Sequence, residues 1–459
     1  MTSGSPTKLT LRARLRLGTQ IRQRHLKEFL SFDFPVFQVP VAVAGLLVTL
    51  CLLALGKRAR AFAGLMALHR ANWSGLANSV AETLVRQELH AGRSSVDPPN
   101  VFRQHVRDLQ PTPGTERFFE KPTSLLRTRI LVLKSPRPSE KGILVIDYSF
   151  VFPIIAKFFD LPRIAEKYHI VTEPSWSGYC DPNVLCYGIN DFPVFVQAFE
   201  PRDAQVLEKM RTNLVPVATS PNWWIDHRVM KPLNIPKDRD LVMIASWAKF
   251  KRHARFFAAL AKLRQRGHTL TATLIGYPID LTIADLANEA DFYGVRDQVE
   301  FHEWLRPDEV NVQLNRARIN IVWSRREGVN RAIVEGMFAN VPCILRSGFN
   351  YGYQYPYVNA ETGRFATEES LPDAILELLE TPREYAPRDW VMAHMSCHKA
   401  IDVLAGTIRE RAARDGERWT TDPVPKIGQL NTMAYWDVED AERFEPDYRF
   451  LESTFRSRA

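Results

Sequence analysis

The stretch RINIVWSRREGVNRAIVEGMFANVPCILR, Arg318 to Arg346, contains one complete unit of the predicted fold. RINIVWS and VPCILR predict strands, and NRAIVEGMFAN between them predicts a helix with Asn330 as its N-cap. The same alternation runs through most of the chain from about residue 128. Alternating strands and helices predict an α/β fold with parallel sheets and crossover helices.

The alternation divides into two series, and the rest of the chain flanks them. The second series has five predicted strands with four helices between them, which predicts a doubly wound domain whose ligands bind at the carboxyl ends of the strands. The predicted segments are a leader with a hydrophobic part at about 34–56 (1–60), a helical or linker region (61–127), a first Rossmann-like domain (128–235), a second (236–385) and a C-terminal helical tail (386–459).

Two glutamates stand eight positions apart around the start of the predicted helix. Glu327 lies in the loop after a strand, and Glu335 lies just over one turn inside the helix. Free backbone N–H groups at a helix start suit an anion such as phosphate. Sugar hydroxyls donate hydrogen bonds, and carboxylates accept them. The unit therefore predicts a nucleotide-sugar site; the alternative is a solvent-facing loop Glu and a helix-surface Glu.

The stretch REGVNRAIVEGMFANVPCI resembles the donor-binding signature of retaining family-4 glycosyltransferases, the glycosyl transferases group 1, of GT-B fold. The resemblance covers about residues 240 to 380 and implies two Rossmann-like doubly wound domains facing a cleft. It implies that Glu335 binds the ribose and Glu327 the donor sugar. The backbone of Gly328, Val329 and Asn330 would lie nearby, and Gly276, in LIGYP, falls at another turn of the family.

The family also directs an Arg and a Lys, five positions apart, at the diphosphate. Here the stretch is SWAKFKRH, in which Lys251 matches the Lys and Ser246 stands where the family has Arg. Lys249 could substitute as a point charge without the bidentate fork of Arg, and Arg326 is close in sequence. The resemblance thus makes Glu327 and Lys251 the candidate catalytic residues.

The loop EPSWSGYCDP, Glu173 to Pro182, is the candidate acceptor site in the first domain. Trp176 or Tyr179 could stack on an acceptor sugar, and Glu173 or Asp181 could bind its hydroxyls; the alternative is a packed surface loop. No His/Glu cluster has metal-ligand spacing. Asp238-Arg239-Asp240 precedes its strand, whereas a metal site should follow one, so no metal site is predicted.

The N-terminal leader predicts contact with a membrane. Residues 1–70 carry 11 Lys and Arg against two acids, whereas the remainder is close to neutral, which argues against a nucleic-acid partner. LTLRARLRLGTQIRQRHLKEFL could form an interfacial basic helix. Val39 to Gly56 is almost wholly apolar and predicts a short transmembrane or re-entrant helix, with a buried core helix as the alternative. Flanking charges weakly favour a cytoplasmic body at an inner membrane.

The leader predicts a membrane-attached protein, and the resemblance implies a retaining, hexosyltransferase-like glycosyltransferase that requires neither metal nor cofactor. It would transfer a sugar from a nucleotide diphosphate donor, a UDP- or GDP-sugar, to a lipid-linked or polysaccharide acceptor. The alternatives are a catalytically weakened GT-B scaffold that binds a nucleotide-sugar, and a sugar-nucleotide epimerase.

Overall fold

The computed structural model describes residues 10–94, 100–175, 180–198, 201–348, 355–381, 385–429 and 432–456. The chain forms two compact units, each built on one main sheet. The five-stranded unit comprises Pro35–Asp226 and Met395–Ala459, and the six-stranded unit comprises Met1–Phe34 and His227–His394. The predicted α/β class with parallel sheets is confirmed.

The strands are β1 (Ile130–Lys134), β2 (Gly142–Asp147), β3 (Tyr168–Glu173), β4 (Val194–Gln197), β5 (Leu214–Val217), β6 (Arg239–Ile244), β7 (Ala272–Gly276), β8 (Val299–Glu303), β9 (Ala317–Val322), β10 (Cys343–Arg346), β11 (Gly363–Ala366), β12 (Lys426–Gly428) and β13 (Met433–Tyr435).

The α-helices are α1 (Leu11–Glu28), α2 (Pro35–Ala54), α3 (Arg58–Ala71), α4 (Gly75–Ser94), α5 (Val101–Arg107), α6 (Glu116–Glu120), α7 (Phe152–Phe158), α8 (Leu161–Lys167), α9 (Pro182–Leu185), α10 (Pro201–Met210), α11 (His253–Gln265), α12 (Ile283–Phe292), α13 (Pro307–Arg316), α14 (Arg331–Phe338), α15 (Leu371–Glu380), α16 (Pro387–His394), α17 (Cys397–Arg414), α18 (Asp440–Arg443) and α19 (Glu445–Ser453). A π-helical turn, Phe29–Asp33, follows α1, and a 3-10 turn, Lys249–Lys251, precedes α11.

The five-stranded sheet has the sequential order β1-β2-β3-β4-β5, with β1 antiparallel to β2 and the other pairs parallel. A doubly wound sheet reverses its strand order. Among the described strands of this sheet there is no reversal, so the doubly wound order predicted for both domains is found only in the second. The sequence pattern shows that strands alternate with helices. It does not show the order in which the strands pair within the sheet.

The five-stranded sheet shares one apolar core with chain segments that precede it and follow it in the sequence. Phe62 and Phe102, from the predicted helical region, are buried in that core together with Leu404 and Tyr448 from the C-terminal part. The Tyr448 hydroxyl oxygen accepts a hydrogen bond from the Val132 backbone N–H at 3.3 Å. Most of the predicted tail therefore packs on the first sheet, whereas α16 belongs to the six-stranded unit.

The six-stranded sheet has the order β11-β10-β9-β6-β7-β8, and all its pairs are parallel. The strand order reverses between β6 and β9, so the second domain is doubly wound as predicted. The prediction had five strands; the sixth, β11, begins at Gly363. A Cβ added there would lie 2.1 Å from the Cys343 carbonyl oxygen, so only glycine lets β11 approach β10 so closely.

The leader helix α1 belongs to the six-stranded unit and packs along α12. Gly18 faces the ring of Phe292, where an added Cβ would lie 2.9 Å from Cε2. Arg24 forms an ion pair with the buried Glu289 at 2.7 Å. One face of the predicted interfacial helix is thus used inside the protein, while the outer face exposes a set of basic residues. These are Arg12, Arg16, Arg22 and Lys27.

Among the described helices, one is long and apolar enough to cross a membrane, by length and composition alone. It is the Val36–Ala54 part of α2. The five cysteines are free, and of these Cys51 in α2 is exposed while the other four are buried.

Candidate functional site

The reversal point of the six-stranded sheet brings two loops together. One loop follows β6 and contains the 3-10 turn Lys249–Lys251; the other follows β9 and leads into α14. They are joined by a hydrogen bond from the Arg325 backbone N–H to the Phe250 carbonyl oxygen at 2.8 Å. Because open α/β sheets bind ligands at such a reversal point, this pair of loops is the candidate site.

Lys251 and Glu327 meet across the two loops. The Lys251 ammonium nitrogen lies 2.6 Å from Glu327 Oε1, and both side chains are largely buried. The Ser324 hydroxyl donates a further hydrogen bond to the same carboxylate oxygen. The two residues predicted to be catalytic are therefore in direct contact.

Two other predicted cations of this region lie on the protein surface. Lys249 is exposed, and its backbone N–H donates to Asp280 Oδ2 at 3.1 Å. Arg326 is also exposed, and its guanidinium carbon lies 5.3 Å from the centroid of the Phe250 ring. Ser246, where the resembling family has Arg, is half-buried just after β6. Of these four predicted residues, Lys251 is the one tied to Glu327.

The start of α14 has the predicted cap. Asn330 Oδ1 accepts a hydrogen bond from the Ile333 backbone N–H at 3.0 Å, which confirms the N-cap. Glu335 lies one turn further on, largely buried, and its Oε1 accepts from Arg331 Nε at 3.3 Å. The Gly328 carbonyl oxygen, in the loop that also holds Val329, accepts from the Tyr355 hydroxyl at 2.6 Å.

Gly336 explains why α14 lies so close to β9. A Cβ added to Gly336 would lie 2.5 Å from Asn320 Nδ2, an atom that donates a hydrogen bond to the Ala332 carbonyl oxygen at 2.8 Å. The buried Asn320 side chain thus fixes the helix to the strand that precedes it. The close packing holds Glu335 near the carboxyl end of β9.

Gly276, at the end of β7, allows the loop after β6 to approach. A Cβ added there would lie 2.1 Å from the Ala245 carbonyl oxygen and 2.5 Å from Trp247 Nε1. The loop is held by a hydrogen bond from the Trp247 backbone N–H to the Tyr277 carbonyl oxygen at 2.7 Å. Gly276, predicted to bind the donor, thus also positions the loop that contains Lys251.

The leader contributes acidic residues to the neighbourhood of this site, which the sequence interpretation missed. Glu28 Oε2 lies 3.3 Å from Arg252 Nε, and Asp33 Oδ1 lies 2.8 Å from Arg346 Nη2. Arg252 also pairs with Glu368 at 2.8 Å. Glu28 and Asp33 are the two acids of an otherwise basic leader. Two acids among so many basic residues were the signal in the sequence that Glu28 and Asp33 have specific partners.

His253 follows Lys251 closely and is fully buried, and burial together with Lys251 and Arg24 lowers its pKa to about 3. The folded pKa is below the unfolded value, so the unfolded chain binds more protons between about pH 3 and 6.5. Stability from this histidine is therefore present above pH 6.5 and is lost as the pH falls through that window.

We expect the wild-type chain to lose about 1.4 kcal/mol more unfolding free energy than His253→Gln between pH 7.5 and pH 5.5. Urea titrations of the full chain at the two pH values measure the difference. His268→Gln, which changes an exposed histidine of the same unit, should retain the wild-type loss. Equal losses for wild type and His253→Gln would show that His253 is not held neutral.

The predicted acceptor-side residues lie in the five-stranded unit. Glu173, at the end of β3, is buried and pairs with Lys426 at 2.7 Å, and Gln197 donates to it at 3.0 Å. Asp181 caps α9 by accepting from the Asn183 backbone N–H at 2.9 Å. Trp176 and Tyr179 lie outside the described residues. Both described carboxylates thus have internal partners.

Asp147, at the end of β2, lies beside Glu173 in the parallel register. Burial raises the pKa of its carboxyl to about 7, against the opposing effect of Arg129, which lies 3.0 Å away. The sequence interpretation did not select Asp147. Its position at the end of the predicted strand GILVID was the available signal in the sequence. In the structure the next residue, Tyr148, has a positive φ of 70°.

Within the described ranges there is no group of three or more His, Cys, Asp or Glu side chains that could hold a metal ion. Asp238 and Asp240 are engaged elsewhere: Asp238 with Arg316 at 2.8 Å, and Asp240 with Thr271, whose backbone N–H donates at 2.8 Å.

Residues 238–381 match the family model of glycosyl transferases group 1. The matched segment runs from the start of β6 to the end of α15 and contains Lys251, Glu327 and Glu335. The match supports a glycosyltransferase of GT-B type. No curated protein matches the chain.

Several solved structures are similar in part. A mutant of TarM from S. aureus, in complex with fondaparinux, alpha-GlcNAc-glycerol and UDP, is 11% identical with a TM-score of 0.47; the match covers 57% of this chain and 55% of TarM. Sucrose-phosphate synthase from Thermosynechococcus elongatus is 14% identical, with 75% and 94% covered and a TM-score of 0.47. Anabaena HepE, in complex with UDP and glucose, is 14% identical, with 58% and 78% covered and a TM-score of 0.46. The chain thus spans about half the length of TarM.

Proposed function

We propose that this chain is a retaining glycosyltransferase that binds a nucleotide-sugar at the reversal point of the six-stranded sheet. The observation that carries the proposal is the contact between Lys251 and Glu327 beside the capped start of α14, within the segment that matches the family model. This arrangement places one cation, two carboxylates and a helix start at one edge of one sheet.

The diphosphate would bind Lys251 and the start of α14. An ammonium is a compact charge that suits phosphate oxygens, and the N-terminal N–H groups of a helix carry partial positive charge. Lys251 now pairs with Glu327, so a phosphate would compete for the lysine and leave Glu327 to accept hydrogen bonds from hydroxyls of the donor sugar. Glu335, one turn inside α14, would accept from the ribose hydroxyls.

The proposed transfer needs no protein nucleophile. The bond between the anomeric carbon and the leaving phosphate oxygen breaks, and the acceptor oxygen forms its bond to the same face of that carbon. The acceptor proton passes to the leaving phosphate. Lys251 would stabilise the negative charge that develops on the phosphate, a role that makes a large contribution in such reactions. Because Lys251 and the helix start supply this charge, we propose a reaction without metal or cofactor.

The proposed acceptor is a lipid-linked or polysaccharide glycan, and the proposed location is the cytoplasmic face of a membrane. The apolar helix α2 and the exposed cations of α1 support membrane attachment. The proposed donor is a UDP- or GDP-sugar, because the groups named above would contact the phosphates, ribose and sugar and not the base.

A second candidate function is a nucleotide-sugar-binding scaffold with little transfer activity. Ser246 favours it, because a serine hydroxyl cannot neutralise phosphate charge as the Arg of the resembling family does. The two functions share the donor site and differ in turnover. A transfer assay with the bound donor separates them.

Glu335→Gln is expected to weaken binding of the preferred nucleoside diphosphate by about 1.5–3 kcal/mol, the contribution of a hydrogen bond to a charged group. Calorimetry of the full chain with UDP, GDP and ADP measures it, with Glu361→Gln, at an exposed site in the same unit, as the matched control. If none of the three nucleotides binds the folded chain, or if both variants weaken binding equally, the proposed donor site is excluded.

A further inference from the structure

One side of α2 is apolar and exposed. Leu47 and Val48 are 59% and 61% exposed, and they share this side with other large apolar residues. These are Val36, Val41 and Leu50. At about 100° per residue, the five positions fall on one half of the helix. Water is an unfavourable environment for so continuous an apolar stripe.

The opposite side of α2 packs on α3. Ala42 and Thr49 are 2% and 4% exposed, and Leu46 lies between them, also buried. The two helices approach closely because each has a glycine at the contact. A Cβ on Gly45 would lie 3.1 Å from Leu68 Cδ2, and a Cβ on Gly64 would lie 2.8 Å from Thr49 Oγ1.

Helix α3 is in turn fixed to the rest of the five-stranded unit. Arg58 pairs with the buried Glu88 of α4, and Glu88 also accepts from the Val101 backbone N–H at 2.8 Å. His69, at the other end of α3, lies 3.5 Å from Glu82 of α4. The inner side of α2 is therefore part of a folded layer that contains buried charges.

The contact of α2 with α3 distinguishes two orientations of α2, one in which it crosses a membrane and one in which it lies along the membrane surface. Twenty residues span about 30 Å, enough to cross the apolar core of a bilayer. A crossing α2 would place Gly45, at the middle of the helix, and with it Leu68 of α3 at the centre of the bilayer. The adjacent His69 and its partner Glu82 would then lie at nearly the same depth, unless the α2–α3 contact were lost. Charged residues at that depth are costly. An α2 that lies along the surface keeps the α2–α3 contact and leaves the Glu82 carboxylate outside the apolar core of the bilayer.

We propose that α2 is an in-plane membrane anchor. Its apolar side enters the boundary between headgroups and acyl chains, while its inner side stays on α3. Lys57 and Arg60, both exposed just after α2, match the negative charge of anionic headgroups. The proposal does not depend on the transferase activity, because it rests on the packing of α2 alone.

The first test is binding of the purified full chain to vesicles of phosphatidylcholine with one third phosphatidylglycerol, by co-sedimentation. The double variant Leu47→Asp and Val48→Asp is expected to lower the partition coefficient about 100-fold, because each change removes an apolar side chain from lipid and adds a charge. Leu76→Asp, at a 64% exposed leucine of α4, should bind like wild type. Equal binding of all three, or none by wild type, would overturn the proposal. So would a wild-type dimer in solution that the double variant disrupts.

The second test determines orientation and does not depend on a damaging substitution. Starting from Cys51→Ser, whose remaining cysteines are buried, single reporters are made at exposed, uncharged residues by Gln23→Cys before α2 and Ala59→Cys after it. With chain added outside sealed vesicles, a membrane-impermeant maleimide should label both reporters fully before lysis. Protection of either reporter until lysis would show that α2 crosses the bilayer and would overturn the in-plane orientation.

Discussion

Lys251→Met is expected to lower kcat/KM for sugar transfer by about 10²- to 10³-fold, the effect of removing one positioned group that stabilises transition-state charge. The reason is that Lys251 is the cation held against Glu327 at the reversal point, at 2.6 Å, while Lys249 and Arg326 lie on the surface. Methionine keeps much of the length and apolar volume of the side chain and removes the charge.

The same change leaves the largely buried Glu327 without its cation, so some loss of stability is expected as well. Thermal unfolding of each variant separates this effect from the catalytic one, and activity is compared below the unfolding range. Lys262→Met, at an exposed lysine of α11, is the control and should keep wild-type kcat/KM. A folded Lys251→Met chain that transfers sugar at the wild-type rate would remove Lys251 from the mechanism.

Gly276→Ala is expected to destabilise the protein by about 3 kcal/mol, at the upper end of what an overpacked core costs. The added methyl group would lie 2.1 Å from the Ala245 carbonyl oxygen. Backbone must shift to relieve this overlap, because no flexible side chain can move away. The displaced segment leads directly to Lys251, so nucleotide affinity should fall together with stability.

Urea unfolding and nucleotide calorimetry on the same preparation test this prediction. Gly406→Ala is the control, because a Cβ there meets nothing within 4 Å and the residue lies inside α17. Helix propensity alone should make that control more stable by about 0.5–1 kcal/mol. An unchanged unfolding midpoint for Gly276→Ala would show that the loop after β6 is free to move away from β7.

The features that the sequence predicted best depend on local patterns. The strand, loop, helix and strand of Arg318 to Arg346 form where apolar periodicity places them, and Asn330 caps α14 because its side chain reaches the Ile333 N–H three residues on. Such features are determined by residues that are close to one another in the sequence. The family match over residues 238–381 covers nearly the same segment as the resemblance read from the sequence.

Features that depend on distant partners could not be predicted. The ion pair of Arg24 with Glu289 joins residues that are 265 positions apart, and nothing local in α1 indicates that it packs on α12. The sequential order of the five-stranded sheet is likewise a matter of pairing between distant strands. Glu173, predicted as an acceptor-side residue, is bound to Lys426, a partner in the C-terminal segment that no local pattern indicates.

A nucleotide-sugar is proposed to bind where β6 and β9 end. The most direct measurement is a crystal structure of the full chain with the nucleoside diphosphate that binds most tightly. We expect a phosphate oxygen within about 3 Å of Lys251 Nζ, the usual distance for such a pair, with the ribose hydroxyls at Glu335. A nucleotide ordered elsewhere on the chain, with Lys251 still bound to Glu327 and Glu335 to Arg331, would contradict it.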